Sequence, residues 1–164
     1  MASIDAKLSQ VSPYSFDVQV RDFEPMSGSR GKGKRLAKKQ ELAKKIVSAK
    51  AISEIEMGRT RLYGKHVVVR ILFYLWKGGA GHPDTSAKKD LDNLLKLVLD
   101  ALQPFADSNH TVNGINVIRS DDDVFRVEAS KRIVAERHDV GLDLQISEFV
   151  DSADKAVPYR IVQT

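Results

Sequence analysis

The feature that most constrains the fold is the run from His66 to Trp76, in which every side chain from Val67 onward except Arg70 is aliphatic or aromatic. A short run rich in β-branched and aromatic residues is typical of a strand, and the lack of alternation is typical of a strand inside a sheet. We therefore predict a central strand covered on both faces. Such a strand requires neighbouring strands beside it and helices packed against it.

The rest of the chain supplies the elements that such a strand needs. Further strands are predicted where apolar and polar residues alternate or β-branched residues cluster, at residues 14–23, 115–118, 124–134 and 140–146. The two middle segments flank an acidic turn, which predicts a β-hairpin. Helices are predicted where apolar residues recur at helical spacing, at residues 35–57 and 91–105. Loops are predicted from glycine and proline residues, at residues 24–34 and 77–89.

The chain has 164 residues, of which 42% are hydrophobic, and this is enough for one domain with a sizeable core. We expect a mixed α/β (α+β) fold, with one mixed β-sheet packed by helices, over residues 1–150 and a tail at 151–164. The absence of cysteine excludes a disulfide framework and a thiol nucleophile. No apolar run approaches the roughly 20 residues of a membrane span. Residues 1–10 lack the pattern of a signal peptide, so we expect a soluble cytoplasmic protein without a membrane partner.

The positive charge is concentrated in one segment. The net charge is +4, but residues 30–50 contain nine lysines and arginines against the single acid Glu41. A basic segment of this kind is a plausible footprint for the phosphate backbone of DNA, and a solvated helix face is the alternative. We predict DNA contacts from the first part of this segment and from two lysines further along, namely Arg30, Lys32, Lys34, Arg35, Lys38, Lys39, Lys88 and Lys89.

Two aspartates stand at the entry to the second predicted helix. Asp90 and Asp92 are two positions apart, and Lys96 follows Asp92 by one helical turn. Asp92 is well placed as the helix N-cap, and an ion pair between Asp92 and Lys96 would be ordinary at this spacing. Capping explains only one of the two aspartates.

A second acidic cluster, Asp121 to Asp123, lies between two segments with strand patterns. Aspartate is common in turns, so this cluster alone indicates a turn. Two acidic clusters in a chain that also has a basic segment favour a further interpretation. Carboxylate oxygens are the ligands that Mg²⁺ and Mn²⁺ prefer, so the clusters are candidates for a metal site.

The run Lys89-Asp90-Leu91-Asp92-Asn93-Leu94-Leu95-Lys96, then Asp100-Ala101-Leu102, then Asp121 with Val124 and Lys131, resembles the RusA-like Holliday junction resolvases. The resemblance covers residues 88–131, and residues 105–116 look like an insertion. It implies a catalytic set of Asp90, Asp92, Lys96 and Asp121. It implies metal ligation by Asp90, Asp92 and Asp121, with Asp122 as the alternative to Asp121. It also implies a homodimer and activity that depends on Mg²⁺, with Mn²⁺ as a substitute.

The sequence thus leads us to expect an endodeoxyribonuclease, associated with the nucleoid in the cytoplasm, that resolves four-way DNA junctions by paired symmetric cuts during recombination and repair. Two alternatives remain open at this stage. One is a nuclease with a broader range that cuts flaps or other branched DNA. The other is a non-enzymatic, nucleic-acid-binding architectural protein in which the aspartates only cap and turn the chain.

Overall fold

Six strands and two helices make up the regular structure of the described residues. The computed structural model describes residues 14–25, 32–49, 60–76, 90–106, 112–113 and 115–150. The elements along the chain are β1 (Ser15–Arg21), α1 (Lys32–Ala49), β2 (Val67–Trp76), α2 (Leu91–Leu102), β3 (Phe105–Ala106), β4 (Val112–Asn113), β5 (Val124–Val134) and β6 (Gly141–Glu148).

Four of the strands form one mixed sheet in the order β1-β6-β2-β5, and β3 and β4 pair separately. Strand β2 is antiparallel to β6 and parallel to β5, and β1 is antiparallel to β6. Helix α2 connects the parallel neighbours β2 and β5, as such a pair requires a crossover. The predicted mixed α/β class and the central position of β2 are confirmed.

The core lies on one face of the sheet, where both helices pack. Phe16, Phe73 and Leu142 of the sheet are fully buried together with Ile46 of α1 and Val98 of α2. On the other face of β2, Val68 is buried and the remaining side chains are half-buried. The prediction that both faces of this strand are covered is therefore wrong for the described residues, because the helices lie on the same side.

The boundaries of α1 and α2 differ from the predicted ones. Helix α1 begins at Lys32, inside the segment predicted as a loop, and residues 50–57 of the predicted helix lie outside the described residues. Helix α2 ends at Leu102, where Gln103 turns to an extended conformation with φ −111° and ψ 159°. Gln103 precedes Pro104, and proline disfavours helical geometry in the residue before it.

The predicted β-hairpin around the acidic turn is wrong. The N–H of Ile115 donates to the carbonyl of Ala101, and the N–H of Val117 donates to the carbonyl of Leu102. These bonds satisfy carbonyls that the end of α2 leaves without helical partners. Residues 115–118 are therefore used to cap α2, and β5 pairs with β2 instead.

The predicted loop at 77–89 and the predicted tail at 151–164 lie outside the described residues. Neither α1 nor α2 combines the length and the hydropathy that crossing a membrane requires.

Gly141 gives a test of the close pairing of β1 and β6. A Cβ at Gly141 would lie 2.8 Å from the carbonyl carbon of Val20 and 3.1 Å from Cα of Arg21. We expect Gly141→Ala to lower the free energy of unfolding by about 3 kcal/mol, because the backbone of β1 has to move. The matched control is Gly33→Ala in α1, where no described atom lies within 4 Å of the added carbon. We expect this control to raise stability by about 0.5 kcal/mol, and urea unfolding measures both. Equal effects would contradict the close approach.

Candidate functional site

The start of α2 presents three of the predicted site residues to solvent. Asp90, Asp92 and Lys96 are all exposed. Asp90 is the N-cap residue, with an extended backbone at φ −68° and ψ 133°, and its carbonyl accepts the N–H of Leu94 at 3.2 Å. The prediction of Asp92 as N-cap is wrong by two positions, since Asp92 lies in the first turn.

Among the described residues, these three side chains do not fill the structural roles that are ordinary at a helix start. The carboxylate of Asp90 makes no capping hydrogen bond. In the described part of the chain, no ion pair joins Asp92 to Lys96, and none of the three has any other side-chain partner there. The positive end of the helix dipole favours acids at this end of α2. Within the described residues, two carboxylates and an ammonium group are thus held on the first turns of α2 without a side-chain partner.

The acidic turn Asp121–Asp123 is a 3-10 turn that precedes β5. The carboxylate of Asp121 accepts a hydrogen bond from Nε2 of Gln103. The backbone N–H of Asp122 donates to Oγ of Ser120 at 3.2 Å. Both aspartate side chains are exposed, so the turn leaves them accessible.

The third aspartate of the turn has a different environment. Asp123 is only 3% exposed. Its Oδ1 accepts a hydrogen bond from Nη2 of Arg119 at 2.8 Å, whereas its buried Oδ2 has no partner among the described residues. A buried carboxylate oxygen without a partner is costly. The sequence alone does not distinguish Asp123 from its neighbours, because acids in a turn are usually exposed and no pattern marks this one as buried.

The two acidic clusters lie at opposite ends of α2. Gln103, which binds Asp121, directly follows the helix, and Asp90 directly precedes it. The helix has twelve residues, and at about 1.5 Å per residue its ends are about 18 Å apart. One cation cannot touch both ends, because magnesium–oxygen distances are about 2.1 Å. Among the described residues, no three histidines or acids are placed to hold one metal ion.

Asp90 and Asp92 by themselves fit a hard divalent cation, because Mg²⁺ often binds through one or two carboxylates and keeps several waters. The set implied by the resemblance also includes Asp121, with Asp122 as its alternative. That larger set does not fit around one cation within a single chain, since the length of α2 separates its members.

Part of the predicted DNA-contact surface is engaged within the protein. Arg35 and Lys39 both bind Oδ2 of Asp100 in α2, at 3.0 and 3.2 Å. Asp100 is 17% exposed at its side chain, so this contact is largely shielded from solvent. The double ion pair holds α1 against α2, which is a structural role that the basic pattern did not predict.

The remaining basic residues differ in their surroundings. Lys38 pairs with Glu41 at 3.0 Å, and its Nζ lies 5.3 Å from the ring centre of Phe23. Lys34 and Lys44 are exposed. The other predicted contacts fall outside the described residues or side chains, namely Arg30, Lys32, Lys88 and Lys89.

A groove of about 610 Å³ lies on the open face of the sheet. Its charged residues largely pair with one another, as in the contact of 3.0 Å between Nε of Arg70 and Oε2 of Glu128. In the same groove, Asp143 accepts a hydrogen bond from Oη of Tyr74 at 2.7 Å and another from Nη2 of Arg21 at 2.7 Å. Among the described residues, the charged side chains of the groove thus mainly join neighbouring strands to one another.

Comparison with known proteins gives no family for the chain. Neither a scan against protein-family models nor a search of curated proteins finds a match. The resemblance to RusA-like resolvases therefore depends on the motif residues alone.

The pKa of the Tyr74 phenol is raised above its usual value of 10.0. The main cause is the hydrogen bond to Asp143, and burial of the phenol is the second cause. As the pH rises past 10, the tyrosine of the unfolded chain loses its proton first. The phenol's contribution to stability is therefore complete below this pH and is lost as the pH rises through the raised pKa. We expect the melting temperature of the wild type to fall more steeply with alkaline pH than that of Tyr74→Phe. Parallel curves from thermal melts would contradict this interpretation of the hydrogen bond.

Proposed function

We propose that the protein is a metal-dependent endodeoxyribonuclease of the RusA-like type that acts on four-way DNA junctions. The observation that carries this proposal is the exposed set Asp90, Asp92 and Lys96, none of which has an internal structural use in the described residues. A helix cap would use one aspartate, and an ion pair would use Asp92 together with Lys96. Neither is formed within the part of the chain that the structure describes, so these side chains are available there for a ligand.

The chemistry of phosphodiester hydrolysis fits these groups. A divalent cation, when bound, supplies a water of lowered pKa. Asp90 and Asp92 would hold that cation at the N-terminal end of α2, where the helix dipole also favours the phosphate. Lys96 follows Asp92 by one turn and therefore projects from the same helix face. Its ammonium group would stabilise the charge that develops on the phosphoryl oxygens.

Two features support a branched DNA substrate, namely the positive charge of the basic segment and the two-fold symmetry that paired cuts require. The basic segment at 30–50 provides positive charge for phosphate contacts, and Lys34 and Lys44 are its exposed members in the described part of α1. Phosphate contacts position DNA without reading its bases. Two opposed cuts in a four-way junction require two sites related by a two-fold axis, which a homodimer provides.

The first test is the loss of cleavage on substitution of the aspartates. We expect Asp90→Asn and Asp92→Asn each to reduce cleavage of an end-labelled four-way junction at least about a hundredfold, because a metal supplies several kcal/mol of transition-state stabilisation. Junction affinity should stay within about threefold, since electrostatic DNA binding comes from the basic residues. The assay compares the junction with a linear duplex of the same sequence, in Mg²⁺ and in chelator.

The matched control is Asp17→Asn. Asp17 is also exposed and accepts a hydrogen bond from Oγ of Ser15 at 2.9 Å, but it lies on β1. We expect the Asp17→Asn variant to retain full cleavage activity. Equal cleavage of flaps and junctions would assign the broader nuclease, and tight binding without cleavage by the wild type would assign an architectural protein.

The second test concerns the phosphate contacts of α1. We expect Lys34→Ala and Lys44→Ala each to reduce the slope of log K against log salt by about 0.9, the effect of one phosphate contact. Lys65→Ala serves as the control, because Nζ of Lys65 is paired with Glu148 at 3.1 Å and lies outside the basic segment. Slopes that equal the wild-type value in both α1 variants would remove this helix from the DNA surface.

A further inference from the structure

The start of β5 presents an aromatic ring to solvent. Among the phenylalanines whose side chains the structure describes, only Phe125 is exposed, at 52%, and Phe16, Phe23 and Phe73 are fully buried. Phe125 lies two residues after the acidic turn Asp121–Asp123. A single exposed apolar side chain is ordinary, but this one belongs to a cluster of three rings.

The backbone directs Phe125 out of the regular alternation of β5. Val124 is paired with Val67 of β2. The next residue of β2 is Val68, and it is paired with Arg126. Phe125 is therefore the extra residue of a β-bulge. Bulges turn a side chain away from the direction that an unbroken strand gives it, and they are common beside active sites.

Two further rings complete an aromatic platform, which consists of His66, Phe125 and Phe149. The rings of His66 and Phe125 are stacked, with centroids 3.9 Å apart and an angle of 16° between their planes. The ring of Phe149 is tilted by 51° to that of Phe125, at a distance of 5.4 Å. The N–H of Phe149 donates to the carbonyl of His66 at 2.7 Å. Three segments that are far apart in sequence thus hold these rings together, and His66 is exposed as well as Phe125.

The size of the aromatic platform argues against a protein partner. A fully buried aromatic side chain contributes about 150–250 Å², and the three rings already cover one another in part. The area that remains is no more than about 300 Å², whereas each partner of a stable protein interface buries about 800 Å². A flat ligand of the size of one ring system matches the remaining area better.

The charges near the aromatic platform suit a nucleotide. Arg126 follows Phe125 and binds Glu128 at 3.0 Å, and Arg119 binds Asp123 at 2.8 Å. The side chains of both arginines remain about half exposed. A guanidinium has five N–H donors and fits phosphate oxygens, so an arginine can bind a phosphate while it keeps a carboxylate partner. Aromatic rings with basic residues beside them are the usual combination for binding DNA strands whose bases are unpaired.

We propose that the aromatic platform stacks one unpaired base of branched DNA, and that Arg119 and Arg126 bind the phosphates beside that base. The inference rests on the proposed function for its ligand, DNA, but it requires neither a metal ion nor cleavage. Every base has a π-face, so the contact is tolerant of sequence. A continuous duplex keeps its bases paired and stacked, whereas a branch point or a single strand presents them. The platform therefore helps the protein to distinguish branched DNA from linear duplex.

Fluorescence of 2-aminopurine, a base whose emission falls when it stacks, tests the platform. The full chain is titrated, in chelator, into a single strand with one central 2-aminopurine and into a four-way junction that carries this base at the branch point. We expect the wild type to quench both probes. We expect Phe125→Leu, which keeps an apolar side chain but loses the π-face, to abolish the quenching and to weaken single-strand binding about tenfold, the effect of one base stack.

Three comparisons control this experiment. The affinity of Phe125→Leu for a linear duplex should stay within about twofold of the wild-type value, because paired bases do not reach the platform. Phe125→Tyr keeps a π-face and should quench as the wild type does. Val150→Ala shortens an apolar side chain that is 73% exposed and has no ring, so it should also match the wild type. His66→Ala repeats the test on the second ring if Phe125→Leu fails to fold.

The outcomes separate this proposal from the proposed function. If Phe125→Leu quenches the probes and binds single strands as the wild type does, the platform is overturned even where the wild type cuts junctions. If Phe125→Leu changes only the oligomeric state in sedimentation, the rings belong to a protein contact and the proposal fails as well. Quenching by a wild type that cuts no branched DNA in Mg²⁺ or Mn²⁺ would overturn the nuclease and support the platform.

Discussion

The parallel pairing of β2 and β5 is the constraint on which the rest of the structure depends. Two neighbouring strands that run in the same direction require a connection that returns along the sheet, and α2 is that connection. Its start therefore lies towards the carboxyl ends of β2 and β5, and its end lies towards their amino ends. Asp90 belongs to the first end and Asp121 to the second. The distance between the acidic clusters thus follows from the topology.

Helix α2 also determines which basic side chains of α1 are bound within the protein. Asp100 is on the side of α2 that meets α1, and it binds both Arg35 and Lys39. Partly shielded ion pairs of this kind fix one helix against another, since removal of either partner leaves a charge with poor solvation. A basic helix can therefore dock on the protein with some of its lysines and arginines and offer others, such as Lys34, to phosphate.

The local sequence pattern was sufficient to predict most strands and helices, but it did not predict how they are arranged in the sheet. The strands near 14–23, 66–76 and 140–146 and the helix that begins after Asp90 are confirmed, because each has a periodicity that its own burial imposes. The hairpin prediction was wrong because a short apolar segment, such as the one around Val117, has the same sequence pattern in a sheet and at a helix cap. That error also concealed the crossover. Without the crossover, the sequence gives no sign that the two acidic clusters are far apart.

The separation of the acids has a physical advantage for folding. Clustered carboxylates in one protomer would repel each other during folding, when no substrate is present. Placing them at opposite ends of α2 reduces that repulsion to an interaction over about 18 Å, which is beyond the screening length of about 8 Å at physiological salt.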